Sequence, residues 1–188
     1  MSLFIRSAMV LSLTMGVASG IGHAQAPRGG AAQSRPAPPA GRPKVAANLA
    51  QVMRGVVFPA SNVVFAAQGD LGAFKPERDP SVSPNLLTST YGGWQAVENA
   101  SLALAESVNL ILLPGRSCSN GKPAPVQRAD WIKYAEGLRS AGLAAYKAAQ
   151  SKRQEAMVDA AGTVADACAA CHDVYREKKG GVQDRCTP

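Results

Sequence analysis

Four stretches of this chain repeat their apolar residues at the three- and four-residue spacing of an α-helix, and that repeat restricts the chain to an all-α architecture. The first covers about residues 44–68 and carries Val45, Leu49, Val52, Met53, Val56, Val57, Ala60, Val63 and Val64. Pro59 should kink or split it, because proline lacks an N–H and crowds the carbonyl one turn back. After a loop holding Pro76, Pro80 and Pro84, the second stretch spans about residues 86–113 and stops at Pro114-Gly115. It carries Trp94, Val97, Leu104, Val108 and Ile111 on one face. The third, about residues 126–149, presents Trp131, Ala135, Leu138, Ala145 and Tyr146. Ser151 followed by Gln154 has capping-box spacing and should open the fourth, which runs to about Lys179 and ends at Gly180-Gly181. Its stripe is Met157, Ala161, Val164, Cys168, Cys171 and Tyr175. Four amphipathic helices with mostly short connections predict an antiparallel up-down four-helix bundle. A chain that is 46% hydrophobic but only 5% aromatic suits packed helices better than a β-sandwich.

The segments ahead of the helices have other purposes. Residues 1–24 read as a secretory signal peptide: Arg6, then an apolar run over residues 8–17, then small residues with Gly22 and Ala24 placed for cleavage after about Ala24. That run is short for a bilayer span, no later stretch is expected to reach the length of a transmembrane helix, and no stable membrane insertion is expected. Residues 25–43 are rich in Pro, Gly, Ala and Arg without apolar periodicity and are expected to form a disordered tether. Residues 44–179 form the helical domain, and residues 180–188 a tail. The formal net charge is +7, but Arg6, Arg28, Arg35, Arg42 and Lys44 all precede the first acid, Asp70. Beyond Lys44, fifteen basic residues face thirteen acidic ones. With no interleaving of Arg and aromatic residues either, nucleic acid is not an expected partner. The leader points to the periplasm. Its removal leaves His172 as the sole histidine, and Met53 and Met157 as the sole methionines.

Within the fourth helical stretch, Cys168-Ala169-Ala170-Cys171-His172 is the C-x-x-C-H signature of covalent haem attachment. Residues at i, i+3 and i+4 share one helix face, so two thiols can add to two vinyl groups while the imidazole beside them reaches the iron. Three other readings compete, the first a chance occurrence in a cytosolic protein, which the leader and the helical register oppose. A redox-active C-x-x-C pair belongs in a βαβ context, which a bundle lacks. A structural zinc site wants four Cys or His ligands, and the remaining cysteines lie far off in sequence.

The run Cys168-Ala-Ala-Cys-His-Asp-Val-Tyr-Arg-Glu-Lys resembles the end of class II c-type cytochromes, the cytochrome c prime family, in which C-x-x-C-H near the chain end is followed by Tyr and Arg as Tyr175-Arg176 follow here. The resemblance covers about residues 45–179 and implies a four-helix bundle carrying one haem c. In helix one of that family an Arg precedes the distal residue by four. Applied here, the pattern pairs Arg54 with Phe58, which cannot ligate iron.

The sixth iron position decides between functions. Met157 lies fifteen residues before His172 on one helix, roughly 22 Å away, and cannot reach. Met53 lies near the start of helix one, which an up-down bundle brings to the end where helix four finishes, so it is either the axial ligand or an ordinary core residue. Arg176, four residues beyond His172, lies on the haem side, where it pairs with a propionate or simply ends the helix in solvent. With Met53 bound, the iron is saturated and suits electron transfer to a periplasmic redox partner protein. With Phe58 or an unbound Met53 above it, an open iron suits binding of gases such as NO or CO. An enzyme such as a peroxidase is not expected, because the mature chain offers no second histidine for acid–base work. A homodimer is a further association the sequence allows.

The haem takes two of four cysteines and leaves Cys118 and Cys186 in an oxidising compartment. Each follows the end of a helix, the second and the fourth, and in an up-down bundle those ends coincide. An intramolecular disulfide is expected, with an intermolecular bridge through the terminal cysteine as the competing outcome.

Overall fold

The structure, a computed structural model, describes residues 44–188; the expected signal peptide, its cleavage site after Ala24 and the tether over residues 25–43 lie outside the described residues. The described residues are all-helical, without strands, and are compatible with a helix bundle. The first helix is built from α1 (Leu49–Val52), a π-helical turn (Met53–Val57) and α2 (Phe58–Ala66) in unbroken succession. Its start is set by a reciprocal cap: the Asn48 side chain accepts from the Gln51 N–H at 2.9 Å, and the Gln51 side chain accepts from the Asn48 N–H at 2.8 Å. Pro59 does not split this helix. The turn ahead of it widens instead, with the Phe58 N–H donating to the Met53 carbonyl, which gives the proline ring room.

Helix α3 (Trp94–Ile111) begins eight residues later than its periodicity suggested, because Leu86–Thr88 closes on itself as a separate 3-10 turn. Gly92 and Gly93 make the transition. Gly93 has φ of 58°, and a Cβ on Gly92 would lie 2.5 Å from the Leu87 carbonyl oxygen. Helix α4 (Ala129–Ser151) is followed by α5 (Gln154–Tyr175) after a two-residue break in which Lys152 turns left-handed, φ 54°. The expected capping box at Ser151 does not form. The Ser151 hydroxyl closes the preceding helix instead, donating to the Ala148 carbonyl at 2.7 Å, while Gln154 donates across to the Ala67 carbonyl at 3.0 Å.

Packing follows the apolar stripes. Val64, Val97, Leu104, Val108, Trp131, Met157 and Val164 are fully buried, each worth roughly 1.5–3 kcal/mol of transfer free energy. Helix α3 packs most extensively on α4, and α4 on α5; α2 packs on α3 and touches α5 only lightly. Long-range hydrogen bonds tie the ends together. The Leu49 N–H donates to the Ser117 carbonyl at 2.8 Å, and the buried Arg116 guanidinium joins the Leu110 carbonyl (2.9 Å) to the Ala47 carbonyl. The Cys186 N–H donates to the Tyr175 carbonyl at 2.9 Å. The start of the first helix and the ends of α3 and α5 therefore gather at one place. Cys118 and Cys186 meet there at disulfide distance, with Cα atoms 6.5 Å apart, as the topology argument expected.

One expectation about membranes does not hold. Leu49–Ala66 is long and apolar enough, by length and composition, to cross a membrane. A core helix meets the same criterion, and this one packs Val57, Ala60, Val63 and Val64 into the interior.

Candidate functional site

The light contact between the first helix and α5 has a cause in the residues between them. A cavity of about 360 Å³ separates the two, walled on one side by Cys168, Cys171 and His172 and on the other by Met53, Val57 and Phe58. The helical spacing of 168, 171 and 172 puts all three on this wall, as anticipated. Met53 reaches it because α5 ends where α1 begins. Phe58, whose N–H bonds the Met53 carbonyl across the π turn, lines the same cavity. Phe58, 62% exposed, is a large apolar side chain left uncovered at the cavity wall. A second cavity of about 40 Å³ continues into the core beside Met53, His172, Ile111 and Trp131.

The wall is apolar enough to shift its titrating groups. Burial holds both thiols protonated: Cys168 is pushed up, and Cys171 reaches about 11, with Cys168 and Asp130 adding to the effect of burial. Burial also lowers His172, and the Arg176 charge lowers it further. A redox-active dithiol needs a depressed thiol pKa, so these shifts run against that reading of the C-x-x-C pair. Among the described residues no three His, Cys, Asp or Glu side chains group as a zinc site would need.

Behind the thiols, Tyr175 is anchored at the α4 start. Its hydroxyl donates to Asp130 at 2.7 Å and accepts from Arg128 at 3.1 Å, and its ring meets Trp131 edge-on with centroids 4.8 Å apart. Arg128 and Asp130 also pair directly at 3.0 Å. These hydrogen bonds, Arg128 first and Tyr175 second, hold Asp130 down at about 2. Tyr175 thereby fixes the last turn of α5, the turn that carries His172.

Arg176 sits one residue past the end of α5, where its N–H donates to the His172 carbonyl at 2.8 Å. It lines the cavity as the four-residue spacing suggested, but its guanidinium is half-exposed and engaged by Glu177. A different arginine escaped the sequence reading. Arg185, in the tail, also lines the cavity, and its Nε is buried without an acceptor. The Trp131 indole N–H, on a side chain 2% exposed, is likewise buried, unpaired and part of the cavity wall. Nothing near Arg185 in sequence signals this; only the pairing of Cys186 with Cys118 brings it in. The cavity thus has an apolar body, paired thiols beside an imidazole, a thioether opposite, and arginines on its wall. That donor set fits a flat apolar group bearing a metal and carboxylates. Comparisons with protein-family models, with curated proteins and with solved structures return no match. The reading rests on this chain alone.

Proposed function

We propose that this chain is an exported mono-haem c-type cytochrome, an up-down four-helix bundle of the class II type, whose function is electron transfer to a periplasmic redox partner. The observation that carries the proposal is the convergence of Cys168, Cys171, His172 and Met53 on one cavity between the first and last helices. Cys168 and Cys171 would hold haem c through thioether bonds, and His172 and Met53 would ligate its iron. Bound there, the haem iron supplies a one-electron ferric/ferrous couple, which a methionine ligand biases toward the reduced state. Val57, Phe58 and Trp131 contribute apolar surface to the wall that a haem would pack against. Tyr175, tied to Asp130 and Arg128, keeps the last turn of α5 and the imidazole in one position.

A second reading has its own observation. Phe58 shares the cavity wall with Met53 through the π turn, and the small cavity beside Met53 offers room for a diatomic molecule. With Phe58 over the iron and Met53 withdrawn, the protein would bind gases such as NO or CO. The visible spectrum of the purified protein separates the two. Sharp α and β bands in the reduced form, with slow CO uptake, support Met53 ligation; Met53→Ala should then turn the spectrum high-spin and admit CO readily. Rapid CO binding by the wild type, unchanged by Met53→Ala, overturns ligation by Met53 and leaves the gas-binding reading.

A further inference from the structure

We infer that Arg185, carried on the disulfide-bound tail, is the principal partner of a haem carboxylate, and that the Cys118–Cys186 bond is there to hold it over the cavity. The inference rests on the haem reading above and goes beyond it, because the sequence pointed to Arg176 for this role. Three arginines line the cavity: Arg54, Arg176 and Arg185. Arg54 is exposed, and Arg176 is half-exposed with its guanidinium taken by Glu177. Arg185 differs in both respects. It is half-buried, its Nε is buried with no acceptor, and none of the ion pairs among the described residues includes it. A half-buried guanidinium on a cavity wall without an ion-pair partner lacks its best acceptor, and a carboxylate is the group its planar fork matches.

The tail is built to keep Arg185 there. Residues Gly181–Asp184 form a 3-10 turn. The two N–H groups of the Asn120 amide are shared among three carbonyls on and just past it, those of Val182 (3.2 Å), Gln183 (3.1 Å) and Arg185 itself (3.0 Å). Next to Arg185, the Cys186 N–H donates to the Tyr175 carbonyl, and its sulfur lies at disulfide distance from Cys118. Asn120 and Cys118 stand on one tight loop, closed by the Cys118 N–H to the Lys122 carbonyl at 2.7 Å. The backbone of Arg185 is therefore clamped on both sides while its side-chain Nε is left without a partner. A residue clamped for structural reasons alone would have that hydrogen bond satisfied locally.

Because a cation beside the haem edge favours the ferrous form, removing it should shift the equilibrium toward ferric. The test compares reduction potentials of haem-loaded wild type, Arg185→Gln, Arg185→Lys, Arg176→Gln and the paired substitution Cys118→Ala with Cys186→Ala. Denaturing electrophoresis with haem staining is run on every sample. Arg185→Gln should move the ferric/ferrous ratio about tenfold toward ferric, about 59 mV for a one-electron couple. The cysteine pair should reproduce most of that shift, Arg185→Lys should restore part of it, and Arg176→Gln should move it far less. Covalent haem with an unshifted potential in Arg185→Gln, or a larger shift in Arg176→Gln, overturns the assignment of Arg185 and leaves the haem reading standing. A shift in Arg185→Gln that the cysteine pair does not share overturns the positioning role of the disulfide. Wild type without covalent haem overturns the haem reading and the inference together.

Discussion

Helix α4 contains two glycines whose replacement by alanine should have opposite effects. At Gly142 an added Cβ would lie 2.8 Å from the Ala105 nitrogen, 2.9 Å from the Ser101 carbonyl oxygen and 3.2 Å from the Ala105 Cβ. Two of these three atoms are α3 backbone and cannot swing aside. To move the nearest from 2.8 Å to the 3.4 Å where ordinary contact begins, α3 and α4 must part by about 0.6 Å along their most extensive interface. Overpacking of this kind costs about 2–3 kcal/mol, against a gain of about 1 kcal/mol from replacing glycine inside a helix. Gly142→Ala should therefore destabilise by about 1–2 kcal/mol net. At Gly137, five residues earlier on the same helix, an added Cβ meets nothing within 4 Å. Gly137→Ala should gain the propensity term alone, about 0.5–1 kcal/mol. Urea unfolding of the two variants beside wild type isolates the packing term, since unfolded-state effects are nearly equal for both. If Gly142→Ala proves as stable as Gly137→Ala, the close approach of α3 to α4 is wrong.

Removing the Cys118–Cys186 bond by double substitution to alanine opens a 68-residue closure, which the chain-entropy relation values at about 4 kcal/mol; urea unfolding that shows a loss under 1 kcal/mol, or non-reduced peptide mapping that finds a Cys186 dimer instead, contradicts the intramolecular bond. Asp130 titrates at about 2 in the fold against about 3.9 unfolded, so its contribution is fully present above pH 4 and is lost as pH falls from about 4 to 2. Asp130→Asn should remove that segment of the pH dependence; a urea midpoint that falls between pH 4 and 2 as steeply in the variant as in the wild type rules out this role.

Sequence periodicity located the helices well because their stripes are long: Val97, Leu104, Val108 and Ile111 are all buried where the spacing put them. Their boundaries depend on backbone events that side-chain pattern does not record. The second stretch reads in sequence from about residue 86, yet Leu86–Thr88 is a separate 3-10 turn and the helix opens at Trp94 after Gly92-Gly93. Ser151 and Gln154 have capping spacing, but Lys152 turns left-handed, and the serine serves the helix before it. The fourth helix stops at Tyr175, short of Lys179, where the tail returns to bond the Tyr175 carbonyl. The common cavity position of Cys168, Cys171 and His172 follows from their spacing, and that of Met53 from the helix topology. The positions of Arg116 and Arg185 do not follow in this way. Arg116 is buried by virtue of carbonyls at Ala47 and Leu110, and Arg185 lines the cavity only through the distant pairing of Cys186, so no local pattern marks either one.

The most direct measurement is the mass of the denatured, exported protein, taken beside a variant with Cys168→Ala and Cys171→Ala. The expected wild-type mass exceeds that of the cleaved polypeptide by one haem, the haem survives acid–acetone extraction, and the variant lacks it. A wild-type chain at bare polypeptide mass, with any haem removed by the extraction, contradicts covalent attachment at Cys168 and Cys171 and the electron-transfer function built on it.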